Sequence, residues 1–508
     1  MLPAKILTHR GYSIEKKVLN SLQIAMLEKQ LTVTPQVPPS YAGMVAPFKV
    51  WIESPARYYL PRAWAESQYG PADSDARSTG EALPKTLRFG GDLRPHQVEA
   101  LTAYRAAGHN GIICLPCGYG KTFTGIAAAA ELGVCFLIVV HKEFLADQWS
   151  EELKRLMPGI RIGRIQGERC DLDCDVAIAM IQTICSRSYP TGTFARFGFA
   201  IFDEVHHLGA EHFSQSLQRI HCRRMLGLTA TPKRADGLSK VFEWNLGAIV
   251  YQINRRPLDD TVLVECLRYA CEDPVYANVS TDWKGEVVRA RMINSIADYK
   301  GRTAEILAWI KPYMEEAGRN LLVLSDRREH LIDFDAGFRA VGIDSVGYYV
   351  GGMKQKDLDI SATKRVILGT FAMASEGMNI PSLNAVLLAT PKSNIEQSVG
   401  RILRLKKEER TVQPIIFDVL DTTFVECYGQ WTKRKKFYKE CGYRMKWAGS
   451  DEEMEAPVSK EPKGCIILED VEEIAVEKVA VKKVAVKKVA VKKAAVKGEP
   501  TGCLILEE

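Results

Sequence analysis

The stretch CLPCGYGKT, Cys114–Thr122, decides the fold, because it ends in Gly-Lys-Thr and also carries a Cys-x-x-Cys spacing. The run NGIICLP that leads into it is short, apolar and β-rich. The run KTFTGIAAAAEL that leaves it is a strong helix former. Strand, glycine loop and helix therefore follow one another in the order of a phosphate-binding loop.

Each residue of this loop has a role in the phosphate interpretation. The glycines of the run Gly118, Tyr119, Gly120 let the backbone turn tightly and aim successive N–H groups at an anion, which the helix dipole also favours. Lys121 can reach the β- and γ-phosphates of a nucleotide, and Thr122 can offer its hydroxyl to Mg²⁺. Leu115 stands where the full motif has its first glycine, so a simple glycine turn is the alternative.

A metal or redox site at Cys114 and Cys117 is the second interpretation. Zinc would need another ligand pair at a suitable spacing. The nearest thiols are Cys135 and the pair Cys170 and Cys174, whose spacing matches no familiar zinc module. The phosphate interpretation is therefore favoured.

A pair of acidic residues follows a second apolar run, in FGFAIFDEVHHLGA. The run 197–202 predicts a buried strand, which would place the pair at the carboxyl edge of a parallel sheet. Asp203 can hold Mg²⁺ there, and Glu204 can orient and deprotonate an attacking water. We expect His206 to link nucleotide state to the rest of the protein, and His207 to be a packed neighbour.

Length and composition indicate a large intracellular protein. The 508 residues suffice for about three domains of ~150 residues. Thirteen scattered cysteines favour reduced thiols, and the start of the sequence lacks a signal peptide's apolar core. The longest apolar run, near GVCFLIVV, predicts a buried parallel strand, since a membrane span needs about 20 residues. The net charge of +6 permits a polyanionic partner without demonstrating one.

Further motifs occur in a fixed order along the chain. In sequence they are LRPHQVEAL (Leu93–Leu101), the phosphate loop, VVHKEFLADQW (Val139–Trp149), AMIQTI (Ala179–Ile184), DEVHH, GLTATPKRADGL (Gly227–Leu238), LLVLSDRREHL (Leu321–Leu331), GTFAMASEGMNIP (Gly369–Pro381) and QSVGRILR (Gln397–Arg404). Most are weak alone, but the combination is very specific.

This series resembles that of the superfamily 2 helicases of the DExH type, over roughly Leu93 to Tyr443. Within them the chain is most similar to the XPB-like and phage repair-helicase group, and closer still to helicases of large DNA viruses, including the poxvirus transcript-release type. The segments LPCGYGKT, TPKRADGL and EQSVGRILR carry that likeness. The segment 31–70 also resembles the N-terminal part of the viral helicases, less specifically. The resemblance implies an α/β fold of two tandem RecA-like domains and the substrates ATP and nucleic acid.

The resemblance also implies roles for single residues. Gln97 would read the adenine edge, and Thr229 and Thr231 would relay nucleotide state. Arg401 and Arg404 would be arginine fingers that reach the γ-phosphate from the second domain, with Gln397 beside them. A solvated basic helix face is the alternative for RILRLKK. The turn at Gly377 would face the nucleotide. Asn379 stands where the family often has an Asp that contacts the ribose. Asparagine can hydrogen-bond there but carries no charge.

The nucleic-acid track would run across both domains and hold the phosphate backbone largely without reading sequence. The predicted contacts are His141, Lys142, Thr183 and Thr370. DNA is favoured by analogy only, and RNA stays open.

We predict four segments. Residues 1–90 form an N-terminal accessory domain and linker. This segment either contacts the substrate or, as the safer expectation, only packs on the first lobe. Residues 91–255 form the first, ATP-binding RecA-like domain, and 256–448 the second. Residues 449–508 form a disordered basic tail. The stretch 430–447 mixes basic and aromatic residues, so it either stacks on bases or packs as a helix on the second lobe.

In the predicted tail the sequence VAVKK recurs with a period of five residues. A helix with this period would have no apolar face. It resembles linker-histone tails and would add salt-sensitive nucleic-acid affinity, or serve only as a solubilising or localisation segment. EPKGCIILED and EPTGCLILEE flank it and look like SUMO-interacting motifs, able to add a strand to a partner's sheet.

These patterns and the resemblance together imply an ATP-dependent helicase or translocase with Mg²⁺. The resemblance implies action on DNA in viral transcription (transcript release) or in replication and repair. Proteins of those processes are the expected partners, and no membrane is expected. The compartment stays open between a cytoplasmic viral factory, the virion and the nucleus. One alternative is a duplex translocase that remodels without unwinding. The other is a nucleic-acid-binding scaffold with a vestigial ATPase.

Overall fold

The computed structural model describes residues 3–36, 45–116, 118–206, 214, 216–220, 222–234, 236–253, 258–279, 281, 287–376, 378, 380–405 and 407–454. They belong to one compact unit, Met1–Pro457. The predicted tail motifs, His207, Gly377 and Asn379 lie outside the described residues.

The N-terminal part is built on a mostly antiparallel sheet with the order β5-β6-β2-β1-β7. Its strands and helices are β1 Lys5–Thr8, β2 Gly11–Glu15, the 3-10 helix Lys16–Val18, α1 Ser21–Leu31, β3 Thr32–Val33, β4 Phe48–Lys49, β5 Ile52–Glu53, β6 Arg57–Leu60, α2 Arg62–Tyr69 and β7 Ser74–Asp75. The short strands β3 and β4 pair separately. Asn20 caps α1 by accepting the Gln23 backbone N–H at 2.8 Å, which fixes where this helix begins.

The first lobe is an α/β layer around the sheet β11-β10-β12-β9-β13-β14-β8-β15, parallel except where β11 pairs with β10. Its elements are α3 Pro95–Ala106, β8 Asn110–Cys114, α4 Lys121–Leu132, β9 Phe136–Val140, α5 Glu143–Leu156, β10 Ile162–Gln166, β11 Arg169–Cys170, β12 Val176–Met180, α6 Ile181–Ser186, β13 Phe199–Asp203, β14 Arg224–Thr229, α7 Ser239–Leu246 and β15 Ile249–Gln252. All five residues of β9 are buried, as expected of a strand with helices on both sheet faces.

The parallel register brings the functional loops of this lobe to one edge. Thr229 at the end of β14 is level with Cys114 at the end of β8, and Asp203 is level with Leu228. The phosphate loop, the acidic pair and the segment after Thr229 therefore follow neighbouring strand ends, where ligands bind in open α/β sheets.

The second lobe repeats this architecture around a parallel sheet with the order β18-β19-β17-β20-β21-β16-β22. Its elements are β16 Leu263–Tyr269, α8 Pro274–Ala277, α9 Arg289–Asp298, α10 Lys300–Met314, β17 Leu321–Ser325, α11 Arg328–Ala340, β18 Val346–Tyr349, α12 Gln355–Ala362, β19 Val366–Thr370, α13 Phe371–Glu376, β20 Ala385–Leu388, α14 Glu396–Val399, the 3-10 helix Lys407–Glu409, β21 Ile415–Asp421, α15 Val425–Glu440 and β22 Arg444–Trp447. Apolar cores cover both faces of this sheet. The predicted mixed α/β class with parallel sheets is confirmed.

The N-terminal part packs directly on the first lobe. Leu238 and Val241, beside and on α7, are buried in the core of the N-terminal part, and Arg62 donates to the Leu246 carbonyl at 2.9 Å. The backbones also touch at Gly198, where a Cβ would lie 2.0 Å from the Thr79 carbonyl oxygen. The N-terminal part is therefore fixed to the lobe by packing.

The basic and aromatic stretch 430–447 is explained by packing on the second lobe. Trp431 of α15 stacks on Trp447 of β22 with ring centroids 5.4 Å apart. Tyr438 is fully buried, and the buried Arg434 forms an ion pair with Asp418 at 2.7 Å. These side chains are engaged within the lobe, so base stacking is not needed to account for them.

Structure continues beyond Trp447, into the segment predicted as tail. The Met454 backbone N–H donates to the Met445 carbonyl at 2.7 Å, and Glu453 forms an ion pair with Arg444. A truncation meant to remove only the repeats should therefore begin after residue 454. None of the helices in the described ranges combines the length and apolar character needed to cross a bilayer.

Candidate functional site

The phosphate loop has the backbone shape that its glycines predict. Gly118 has a φ of +84° and Gly120, which precedes the first residue of α4, has a φ of +79°. A Cβ at Gly118 would meet no atom within 4 Å, so the loop borders open space there. Lys121 and Thr122 begin α4, whose first N–H groups lack partners within the helix. The loop and the helix start can therefore cradle a phosphate.

Helix α3 supports the shape of this loop from below. Gln97, 2% exposed, accepts the Arg94 backbone N–H at 2.8 Å and donates to the Tyr119 and Gly120 carbonyls at 3.3 and 3.4 Å. The His96 ring nitrogen lies 3.1 Å from the Tyr119 carbonyl oxygen. Gln97 thus supports the loop in this structure, and its reading of adenine stays a prediction. Sequence reasoning did not anticipate His96.

The acidic pair lies at the end of β13, as predicted. Asp203 Oδ2 accepts the Trp149 indole N–H at 2.9 Å, and Oδ1 accepts the Glu204 backbone N–H at 3.0 Å. Glu204 has a φ of +48°, a strained conformation for a residue with a side chain, and such strain often occurs at functional sites. The two carboxylates have different partners, because Glu204 Oε1 contacts Lys121 instead of Trp149.

Lys121 and Glu204 meet directly. Lys121 Nζ donates to Glu204 Oε1 at 2.6 Å, and both side chains are largely buried. This contact joins the phosphate loop to the acidic pair in one site. Burial first, and the charge of Glu204 second, raise the pKa of Asp203, whereas Lys121 opposes that rise. A cation bound near Asp203 would relieve the same unfavourable charge.

The predicted coupling residues form a chain of contacts behind the pair. His206 Nδ1 lies 3.1 Å from Thr229 Oγ1 and 3.4 Å from Glu204 Oε2. Thr229 Oγ1 in turn accepts the Thr231 backbone N–H at 3.1 Å. Burial lowers the pKa of His206, which favours the neutral ring. Arg234, which sequence reasoning missed, donates to the His206 carbonyl and pairs with Asp236.

The second-lobe residues make contacts within their own lobe. Buried Arg401 donates through Nε to the Ala374 carbonyl at 2.6 Å and through Nη1 to the Met378 carbonyl at 2.8 Å. Arg404 Nη2 donates to the same Met378 carbonyl at 3.4 Å. Gln397 is half-buried on α14. These contacts hold the turn after α13, and the arginine-finger role stays a prediction.

Charged residues of both lobes act on the thiol of Cys114. Its Sγ is 3.8 Å from the Ala230 carbonyl oxygen. Burial raises the pKa of Cys114 to about 11, Lys121 opposes the rise, and the charge of Glu396 on α14 adds to it. Glu396 therefore acts on the strand end that begins the phosphate loop. Cys117 lies outside the described residues.

The predicted nucleic-acid contacts lie at or after strand ends and differ in exposure. His141 and Thr183 are buried, and Thr183 Oγ1 accepts the Gly167 backbone N–H at 3.0 Å. Lys142, just before α5, and Thr370, the last residue of β19, are half-buried. Burial lowers the pKa values of His141 and Lys142. Their contacts to nucleic acid stay predictions.

Trp149 belongs to the motif Val139–Trp149, but its contact with Asp203 was not predicted from the sequence. Two signals in the sequence were available. Trp149 lies in α5, which follows the strand next to β13, and a buried indole N–H needs an acceptor. We expect Trp149→Phe to keep most of the packing but to remove the donor that orients Asp203. Loss of such a supporting contact typically costs 10–100-fold in metal affinity, so about tenfold more Mg²⁺ should be needed for half-maximal ATPase.

The control for this variant is Trp309→Phe. Trp309 Nε1 donates to Glu265 Oε1 at 3.0 Å, an equivalent contact in the second lobe. Titration of turnover with Mg²⁺ measures both variants. An unchanged Mg²⁺ requirement in Trp149→Phe would contradict the role given to Asp203.

The chain is similar to a family model and to several helicases. The family model described as type III restriction enzyme, res subunit, matches residues 91–234. A protein of Acanthamoeba polyphaga mimivirus, named as an ATP-dependent RNA helicase, is 32% identical over 455 residues, 86% of this chain and 86% of that protein. The DNA 3'-5' helicase XPB of Kineococcus radiotolerans is 34% identical over 229 residues, 43% of this chain and 40% of that protein.

A solved structure shows the same architecture. S. cerevisiae Dbp5, bound to RNA and ADP BeF3, superposes with a TM-score of 0.50 and 10% identity, covering 70% of this chain and 90% of that one. The prediction of two RecA-like lobes is confirmed by this likeness. Because the mimivirus relative matches most of both sequences, the chain belongs to the superfamily 2 helicases, which hydrolyse ATP with Mg²⁺ as the accompanying ion.

Proposed function

We propose that this helicase uses ATP to move along and separate the strands of DNA, in the transcription or genome maintenance of a large DNA virus. The observation that carries the proposal is the 2.6 Å contact between Lys121 and Glu204. It places the cation of the phosphate loop and the carboxylate that would activate water within one site. Phosphoryl transfer depends mainly on such positioning and on charge neutralisation.

The proposed hydrolytic step begins when Lys121 exchanges Glu204 for the phosphates of ATP. Glu204, released from its cation, then accepts a proton from the water that attacks the γ-phosphorus, while the bond from that phosphorus to the bridging oxygen breaks and ADP leaves. Trp149 and the Glu204 backbone N–H keep Asp203 oriented throughout. Mg²⁺, when bound, neutralises phosphate charge, and Thr122 and Asp203 are the residues that would hold it.

The second lobe would complete the site. We infer that Arg401 and Arg404 act as arginine fingers, with Gln397 beside them, in a nucleotide-bound arrangement. Arg401 would have to give up its bonds to the Ala374 and Met378 carbonyls to do so. Hydrolysis that depends on such a rearrangement couples ATP turnover to motion between lobes.

DNA is the proposed track because of the relative named a DNA helicase and the XPB-like motif series. RNA is the second candidate, since the mimivirus relative carries the name of an RNA helicase. Transcription or replication proteins are proposed partners. A SUMO-like or sheet-edge partner for the motifs at 461–470 and 499–508 stays a prediction, as those residues lie outside the described ranges.

The proposal is tested by ATP hydrolysis of the purified chain with duplex DNA, single-stranded DNA, RNA or no nucleic acid. We expect turnover to rise most with DNA. Strand displacement on forked and blunt duplexes then separates unwinding from translocation alone. Stimulation by RNA only would contradict the DNA track, and nucleic-acid binding without measurable turnover would favour the scaffold alternative.

A further inference from the structure

We propose that a cleft between the N-terminal sheet and the first lobe binds unpaired nucleotides of a single strand. This cleft, called here the N-terminal cleft, has a volume of about 1090 Å³. One wall includes Arg10, Lys49 and Tyr59 of the N-terminal part, and the other includes Tyr189, Phe194 and Arg219 of the first lobe. The inference rests on the proposed function only in taking nucleic acid as the class of partner.

The charge of the N-terminal cleft suits a polyanion. Its lining residues include Arg10, Lys49, Arg77 and Arg219, and among the residues that the structure describes no Asp or Glu lines it. Arg77 is paired with Asp75 at 2.9 Å. Within the described part of the chain, no carboxylate lies at ion-pair distance from the other three cations. A row of uncompensated cations in a groove attracts phosphates.

The aromatic rings of the cleft suit bases. Tyr59 is half-buried, and the Arg10 guanidinium lies 5.4 Å from its ring centroid. On the opposite wall Tyr189 is half-buried, with its ring centroid 4.9 Å from that of Phe194. Proteins that bind single strands combine such stacking platforms with a basic groove, and every base offers a ring face to them.

The two walls are held at a fixed separation, so the cleft exists before any ligand arrives. Arg77 Nη1 donates to the Cys222 carbonyl at 3.2 Å, and the Ser78 hydroxyl donates to the Ala195 carbonyl. Gly80 and Gly198 approach so closely that a Cβ at Gly80 would lie 2.3 Å from the Gly198 nitrogen. A preformed groove avoids part of the ordering cost of binding.

The cleft also adjoins the predicted nucleic-acid track. Tyr189 donates its hydroxyl proton to the Thr183 carbonyl at 3.3 Å, and Arg219 donates to the Ile184 carbonyl at 2.6 Å. Thr183 and Ile184 both belong to α6, and Thr183 is one of the predicted nucleic-acid contacts. A strand that passes α6 can therefore continue into the N-terminal cleft.

The first test removes charge from the full-length protein. The double variant Arg10→Ala/Lys49→Ala is compared with Lys29→Ala/Lys85→Ala, which removes two exposed lysines that do not line the cleft. Affinity for a fluorescent oligothymidylate of about 16 nucleotides is measured without nucleotide over a range of salt concentrations. Each lost phosphate contact lowers the salt slope by about 0.7, so the cleft variant should lose about 1.4 more than the control.

The second test removes stacking. Tyr59→Leu/Tyr189→Leu should weaken oligothymidylate binding at least about fivefold, whereas Tyr59→Phe/Tyr189→Phe should keep most of the affinity, because the rings remain. Photo-crosslinking with bromouracil in the oligonucleotide should label a tyrosine of the cleft. Melting temperatures like that of the wild type verify folding.

Equal salt slopes in the cleft and control charge variants, or crosslinks confined to other parts of the chain, would overturn the proposal. Polyglutamate serves as a probe for an acidic protein partner. If Arg10→Ala/Lys49→Ala lost polyglutamate binding but kept oligothymidylate binding, the cleft would be assigned to such a partner and the proposal would be overturned. Because these assays contain no ATP, they remain informative even where hydrolysis fails to respond to nucleic acid.

Discussion

Lys121→Ala is expected to abolish ATP binding and to lower turnover by at least about 100-fold, the loss that follows removal of one preorganised group that stabilises developing charge. Lys121 is the cation at the first turn of α4, and its ammonium is held against Glu204 at 2.6 Å. Alanine removes the charge that would face the phosphates. Nucleotide binding by fluorescence and turnover by phosphate release measure the two losses separately.

Glu204→Gln separates binding from chemistry. Glutamine keeps the size of the side chain but cannot accept a proton, so hydrolysis should fall about 10²- to 10⁴-fold while ATP binding persists. Lys300→Ala is the matched control, because it removes a lysine–carboxylate pair with Asp333 on the surface of the second lobe. Normal turnover in Lys121→Ala or Glu204→Gln would refute the site, and a large loss in Lys300→Ala would show that the assay reports stability.

Arg302→Met is expected to cause the largest loss of stability in the second lobe. Arg302 and Asp421 are both fully buried and joined by two hydrogen bonds of 2.6 and 3.0 Å. Removing one partner of a buried pair leaves an uncompensated charge and costs about 3–5 kcal/mol. In a lobe of this size we expect the melting temperature to fall by at least about 6 °C.

The control for Arg302 is Arg339→Met. Arg339 pairs with Asp335 on one face of α11 and is about half exposed, so its loss should cost about 1 kcal/mol or less. Tyr276 also donates to Asp421, at 2.7 Å, and this bond survives in Arg302→Met. A melting temperature no lower than that of Arg339→Met would show that Asp421 is neutral or solvated in the variant.

Much of the first lobe could be predicted because its signals are local. The helix predicted from KTFTGIAAAAEL is α4, Lys121–Leu132, and the apolar run before Asp203 is β13. A glycine loop between a buried strand and a helix has few alternative structures. The acidic pair could likewise be placed at a sheet edge, because the preceding strand fixes where its chain segment ends.

The features that could not be predicted depend on contacts between distant segments. The bond of Trp149 to Asp203 joins residues 54 positions apart. Arg62 reaches the Leu246 carbonyl across 184 positions. Periodicity and local motifs describe which faces are apolar, but they do not state which segments meet. The same limit left the stretch 430–447 with two interpretations until Trp431 was found stacked on Trp447.

The order of strands in the second lobe has a consequence for synthesis of the chain. β16 is the first strand of this lobe to be translated, yet both its neighbours come last: Leu263 is level with Ile415 of β21 and with Arg444 of β22. A nascent or prematurely terminated chain that ends before Ile415 therefore presents an apolar strand with two unpaired edges. Such edges recruit strands from other molecules, so truncated products of this lobe should aggregate rather than persist as soluble fragments.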